Sequence, residues 1–262
     1  MEIIDFHTHA FPDGLAERAV AGLQSAGNMK PCLDGRISSL LASMDNSGIA
    51  SSVICSIATK PDQFHSILNW SKQIVSKRIV PFLSVHPEDE KRIEHIRMIK
   101  KNGFKGIKLH PYYQNFYIDD EKMFPVYEEI EKSGLILLFH AGYDIAFGKS
   151  GKGSPERIVR IKTCFPSIKI VAAHLGGWQD WHEASKYIIG KDIYVDLSIS
   201  TDTSLNPDAR KMILSHPPDR LLFGTDSPWA GQDRALEEVR SFSFDRDLYE
   251  NLLSKNALEL LA

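Results

Sequence analysis

The chain has little cysteine. Its three cysteines, Cys32, Cys55 and Cys164, are odd in number, far apart and never paired as C-x-x-C, which argues against a disulfide framework and against a structural zinc knot. They read instead as buried thiols of a reducing compartment. An excess of one charge is also missing: 31 Lys and Arg stand against 34 Asp and Glu, for a net charge of −3. Such a balance offers no electrostatic footprint for a polyphosphate backbone, so nucleic acid is not an expected partner. No stretch approaches the roughly 20 apolar residues that span a bilayer. The opening Met1-Glu2-Ile3-Ile4-Asp5 is acidic where a secretory signal needs a basic start. We therefore expect a cytoplasmic protein with no membrane partner. Linkers, internal repeats and low-complexity tracts are absent too, and residues 1–262 read as a single domain.

What the chain does have is alternation. Short β-rich apolar runs at 3–8, 52–57, 79–85, 104–109, 135–140, 168–174, 193–197 and 220–225 read as strands. Amphipathic segments at 62–77, 89–101, 121–133, 155–164, 208–214 and 234–240 read as helices, and the tail 245–262 as one or two more. Ser47-Gly48, Asn102-Gly103 and Ser133-Gly134 stand where helices should stop. Eight strands alternating with helices close into a parallel (β/α)₈ TIM barrel, an α/β fold whose active sites lie in the loops after the strands. Three of these connections, 10–36, 111–120 and 141–154, are longer than tight packing requires.

Six of the ten histidines, His7, His9, His86, His110, His140 and His174, fall at or just past the end of an expected strand. Neutral imidazole is a common ligand for zinc and similar ions, and a catalytic site needs several such ligands converging with one position open. His7 and His9 are one residue apart and share a strand face. Each histidine alone could be a satisfied core residue. Several inward imidazoles with no ion would leave desolvated polar groups at one point. Asp226 can complete the ligand set and take a proton from an activated water, where its plainer role would be a helix cap.

Five stretches carry a resemblance: Asp5-Phe6-His7-Thr8-His9, Gly106-Ile107-Lys108-Leu109-His110-Pro111, Phe139-His140-Ala141-Gly142, Ala173-His174-Leu175-Gly176-Gly177 and Phe223-Gly224-Thr225-Asp226-Ser227-Pro228. In this order the chain resembles the amidohydrolase superfamily, in particular its amidohydrolase-related (amidohydrolase 2) branch of metal-dependent TIM-barrel hydrolases. The resemblance implies a distorted (β/α)₈ barrel. It makes His7, His9 and His140 metal ligands, His174 a further ligand or catalytic group, and Asp226 both ligand and general base. Lys108 would bridge two metals if carboxylated, as in binuclear members, or would keep its ammonium for a substrate anion. One divalent ion, zinc before manganese, is favoured over two. TatD-type deoxyribonucleases share the opening H-x-H but place a glutamate where this chain has Gly106-Ile107-Lys108, which makes a nuclease the minor alternative.

The expected reaction is hydrolysis of an amide, lactone or ester of a small, cyclic or aromatic substrate. Asp226 would move the proton and His174 would steady the oxyanion. The branch also contains non-oxidative decarboxylases of aromatic or unsaturated acids, which use arginines for the carboxylate; here Arg18, Arg36, Lys108, Lys149 and Lys152 are the candidate anchors. A metal-stabilised binding module without activity is the non-enzyme reading, against which the retained Asp226 counts. Lys108, His110, Tyr112, Tyr143, Trp178 and Trp229 are the expected substrate contacts, with Tyr113 and Phe116 nearby. The expected partners are a small-molecule substrate and, at most, a second copy of the chain as a homodimer.

Overall fold

The computed structural model describes residues 1–262. Strands β1 (Ile3–Thr8), β2 (Ile49–Cys55), β3 (Ile79–Phe82), β4 (Gly106–Leu109) and β5 (Ile136–Phe139) are followed by a hairpin, β6 (Gly142–Asp144) and β7 (Gly148–Gly153). Then come β8 (Lys169–Ala172), β9 (Tyr194–Asp196) and β10 (Leu221–Leu222). Parallel pairing joins β1-β2-β3 and β4-β5-β8-β9-β10. Two seams close the barrel. Leu83 bridges Ile107, and at the other edge Phe6 N–H donates to Phe223 O at 2.8 Å while Thr8 bridges Ser227. The expected TIM barrel is the fold observed.

Helices α1 (Asp13–Gly27), α2 (Ile37–Ser47), α3 (Phe64–Ile74), α4 (Arg92–Lys101), α5 (Phe124–Ser133), α6 (Pro155–Cys164), α7 (Trp181–Tyr187), α8 (Ala209–Leu214) and α9 (Gln232–Ser241) surround it, with α10 (Arg246–Glu250) and α11 (Asn256–Leu261) at the end. The glycines expected to stop helices do so in left-handed geometry at Gly48 and Gly134. A cluster of 48 buried apolar residues lies between strands and helices, and a second of 12 fills the barrel, where Phe6 meets Phe82 edge-on and Ala257 and Leu260 of α11 plug the base.

The structure departs from the sequence reading in four places. Of the three cysteines expected to be buried only Cys55, on β2, is so; Cys32 in the connection after α1 and Cys164 at the end of α6 are exposed. The connection 10–36 is not mere loop: it contains α1. Its sequence, with Gly14, Gly22 and Gly27 among small residues, hid a helix that tertiary contacts hold in place. The connection 141–154 is the β6–β7 hairpin. Most of the apolar runs stop pairing before their predicted ends, because residues such as His140, His174 and Thr225 leave the ladder to enter the barrel mouth. In β1 the register with β2 shifts between Asp5 and Thr8. There Phe6 serves the interior while His7 and His9 reach the mouth.

Candidate metal centre and its cavity

At the mouth, each of four imidazoles has one nitrogen committed to an acceptor. His9 Nδ1 faces Cys55 O at 2.8 Å, and His140 Nε2 faces Tyr143 O at 2.9 Å. His7 Nδ1 faces Asp196 Oδ2 at 3.0 Å. His174 Nδ1 lies 3.2 Å from Ser198 O and 2.9 Å from Ser198 Oγ, a hydroxyl that gives its proton to Asp196 Oδ1. Carbonyl and carboxylate oxygens only accept, so these four nitrogens are the protonated ones. The opposite nitrogens then carry bare lone pairs, because burial pushes His7, His140 and His174 well below the ordinary histidine range and keeps them neutral.

Those lone pairs point at one another. His7 Nε2 and His9 Nε2 stand 3.3 and 3.1 Å from Asp226 Oδ1, and His174 Nε2 stands 3.1 Å from His140 Nδ1. His7, His174 and Asp226 bring ligand atoms within 4.8 Å of one another, and His110, His140 and Asp144 form a second such group. Lys108 Nζ, buried at the floor, donates to His7 Nε2 at 3.1 Å, and burial lowers its pKa. Apart from that one lysine contact, the electron pairs converge with no proton between them, and such a donor set fits a divalent cation. The outer hydrogen bonds that fix each ring's tautomer are the support such a ligand shell needs.

Two buried carboxylates hold this arrangement, and both escaped the sequence reading. Asp196, ending β9, accepts from the His7 ring, from Ser198, and from His174 N–H at 3.1 Å. Asp5 accepts from Thr225 N–H and Oγ1 and from Gln232 Nε2, and burial raises its pKa to about 7. The signal was present in part: Asp5 alternates with His7 and His9, and Asp196 closes an apolar run. Holding is needed, since His174 and Asp226 both adopt left-handed backbone (φ 61° and 65°), which costs a side-chain-bearing residue about 1–2 kcal/mol each. Asp226 N–H donating to His7 O at 2.7 Å opposes that cost.

The centre forms the floor of a cavity of about 720 Å³. His7, His9, Lys108, His110, His140, His174, Trp178, Trp229 and Asp226 all line it, Lys108 and His110 being two residues apart and so on one side of the chain. Tyr112 and Tyr143 do not line it. Tyr112 is buried with its hydroxyl donating to Gly142 O at 2.8 Å, and Tyr143 lies under Lys149. Their neighbours Tyr113 and Asp144 take those places, a slip of one residue in loops whose direction no strand alternation dictates. Gly142 pins this region: at φ 86° its amide plane lies so close to Trp178 that a Cβ would come within 2.2 Å of Trp178 N. His110 stacks on His140 at 4.2 Å and approaches Asp144 at 3.4 Å, whereas His86 lies away from the cavity and accepts from Glu88 N–H.

Most of the candidate anion anchors are engaged elsewhere. Arg36 pairs with Asp34 at 2.6 Å, Lys149 rides on Tyr143, and Lys152 donates to Asn115 at 2.5 Å. Lys108 and the exposed Arg18 are the cationic residues left on the cavity wall. No helix is long and apolar enough to cross a membrane.

Comparison with known proteins returns a family model described as Amidohydrolase, which matches residues 4–262. Among solved structures, an uncharacterised TIM-barrel protein from Bordetella bronchiseptica superposes with a TM-score of 0.77 at 19% identity, over 100% of this chain and 98% of that one. A 5-carboxyvanillate decarboxylase from Novosphingobium aromaticivorans, solved with manganese and 4-hydroxy-3-methoxy-5-nitrobenzoic acid, gives 0.73 at 15% identity, over 99% and 96%. A 2,6-dihydroxybenzoate decarboxylase from Rhizobium gives 0.72 at 18%, over 100% and 98%.

Proposed function

The chain belongs to the amidohydrolase family, and on that premise we propose that it is a metal-dependent hydrolase opening an amide, lactone or ester bond of a small-molecule substrate. One observation carries the reading: bare imidazole nitrogens and Asp226 Oδ1 converge on the floor of a roomy cavity. His7, His9 and Asp226 would hold one divalent ion, with His174 and His140 beside them; zinc is our first choice, and the manganese bound by one structural neighbour makes that ion the second. When bound, the ion supplies Lewis acidity and brings the pKa of water towards roughly 7.

The chain's own residues do the rest. Asp226 Oδ1, flanked by two imidazoles, takes the proton of the attacking water and passes it to the leaving atom. His174, oriented by Ser198 and Asp196, has its Nδ1–H committed to Ser198 and so would offer its bare Nε2 as a further ligand, in place of the expected contact with an oxyanion. Asp196 keeps His7 in the tautomer that leaves Nε2 without a proton of its own.

Two structural neighbours are decarboxylases of aromatic acids, and decarboxylation is the rival reading. A wall with only Lys108 and the exposed Arg18 to meet a substrate carboxylate favours hydrolysis of an uncharged group. Metal-replete protein assayed against lactones, esters, amides and aromatic acids, with hydrolysis and carbon dioxide release read separately, decides between them. Carbon dioxide without hydrolysis overturns the proposal. Metal counting bears on Lys108: two equivalents per chain, one of them lost in Lys108→Ala, would mean a carboxylated lysine and two ions.

A further inference from the structure

The cavity continues beyond the metal centre along a wall that the chemistry of Asp226 does not use. Leu15, Ala19, Gly22 and Leu23 recur every three or four residues and so lie on one face of α1, and Ile67 and Trp70 come from α3. An amphipathic helix normally buries such a face against its neighbours. Here Leu15 and Gly22 remain exposed on the cavity, and a Cβ built on Gly22 meets nothing within 4 Å. The floor is different. Ser56, His110 and Trp178 follow the ends of β2, β4 and β8, line the cavity, and each carries a buried polar atom with no partner in the protein. His110 and Trp178 are only 5% and 8% exposed. Unpartnered polar groups are costly to bury and are the ones a ligand satisfies.

We propose that this wall is an acyl- or aryl-binding groove, and that the substrate joins its scissile polar group at the floor to an uncharged hydrocarbon portion lying along α1 and α3. The inference rests on the hydrolase reading for the position of the scissile bond, but the groove itself is defined by its lining. Apolar lining recognises hydrocarbon, at about fourfold in affinity per buried methylene. Half of the lining residues are hydrophobic, and Arg18 is the one cation on the α1 face.

The test is calorimetric titration of the metal-loaded protein with butan-1-ol, hexan-1-ol, octan-1-ol and octanoate, beside hydrolysis of the matching C4 to C8 aryl esters. Affinity and kcat/KM are both expected to rise at least tenfold from C4 to C8. Gly22→Trp, which the open space at Gly22 accommodates, and Ala19→Phe should each remove most of that rise, with folding checked by thermal unfolding and metal content. A flat series, or a rise that both variants keep, overturns the groove while leaving hydrolysis of the short ester standing. Octanoate binding tighter than octan-1-ol, with the difference abolished by Arg18→Ala, overturns the uncharged occupant. A chain-length rise in alcohol binding with no hydrolysis of any ester upholds the groove and sinks the hydrolase reading.

Discussion

His216 and His7 are both buried imidazoles, one near the base of the barrel and one at its mouth, and their surroundings differ in a single respect. His216 accepts from Gly190 N–H at 3.2 Å and donates to Ile193 O at 2.9 Å. Both of its nitrogens are satisfied as the neutral ring, and the protein asks nothing further of it. His7 donates to Asp196, and its other nitrogen faces a carboxylate oxygen and a lysine. His9, His140 and His174 repeat the pattern. A structural histidine is closed by its own chain, whereas those at the mouth are held open by it, and holding them open costs strained backbone at His174 and Asp226.

The contrast predicts where substitutions hurt. The largest effect belongs to Asp226→Asn, which keeps an oxygen near His9 but cannot take a proton. Turnover should fall about 10³-fold with metal content retained, as read by steady-state kinetics and metal analysis, and near-normal turnover would remove Asp226 from its role. Next comes Asp196→Asn, which touches no substrate but frees the His7 ring. Metal affinity measured by competition with a chelator should weaken about 10–100-fold, whereas the same measurement on His216→Gln should show no change.

His216→Gln should instead lower stability by about 1–3 kcal/mol in denaturant unfolding. Its pH dependence has a definite sign. Burial pulls the folded pKa of His216 down to about 4, below the roughly 6.5 of an unfolded histidine, so the unfolded chain binds the proton first. Stability is full above about pH 6.5 and is lost as the pH falls from there towards 4. The variant should lose less over that window, and an unchanged acid limb would contradict the assigned environment. The smallest effect is expected of Tyr112→Phe. It deletes one buried hydrogen bond to Gly142 O, costing about 1 kcal/mol in stability, with kcat/KM changed less than threefold.

Some of the centre was legible because barrel topology sends every strand end to one place. Once eight strands were read, histidines ending them had to converge, and His7, His9, His140, His174 and Asp226 could be named without coordinates. The partners that orient them were not legible in the same way. Cys55 acts through its backbone carbonyl, which no side-chain pattern reports, and Asp196 and Ser198 act through bonds spanning nearly the whole chain. Tyr112 and Tyr143 were misplaced because a turn, unlike a strand, imposes no alternation. Helix α1 was missed because its pattern is weak and its apolar face is turned to a cavity instead of a core.

The sequence by itself determined the barrel and the residue types at its mouth, since both follow from local periodicity and the short reach of strand-to-helix connections. The tertiary structure decided which imidazole nitrogen carries the proton, which aromatic ring lines the cavity, and that a helix lies along it. Those outcomes depend on hydrogen bonds and contacts between segments as much as 220 residues apart, and local pattern carries no record of them.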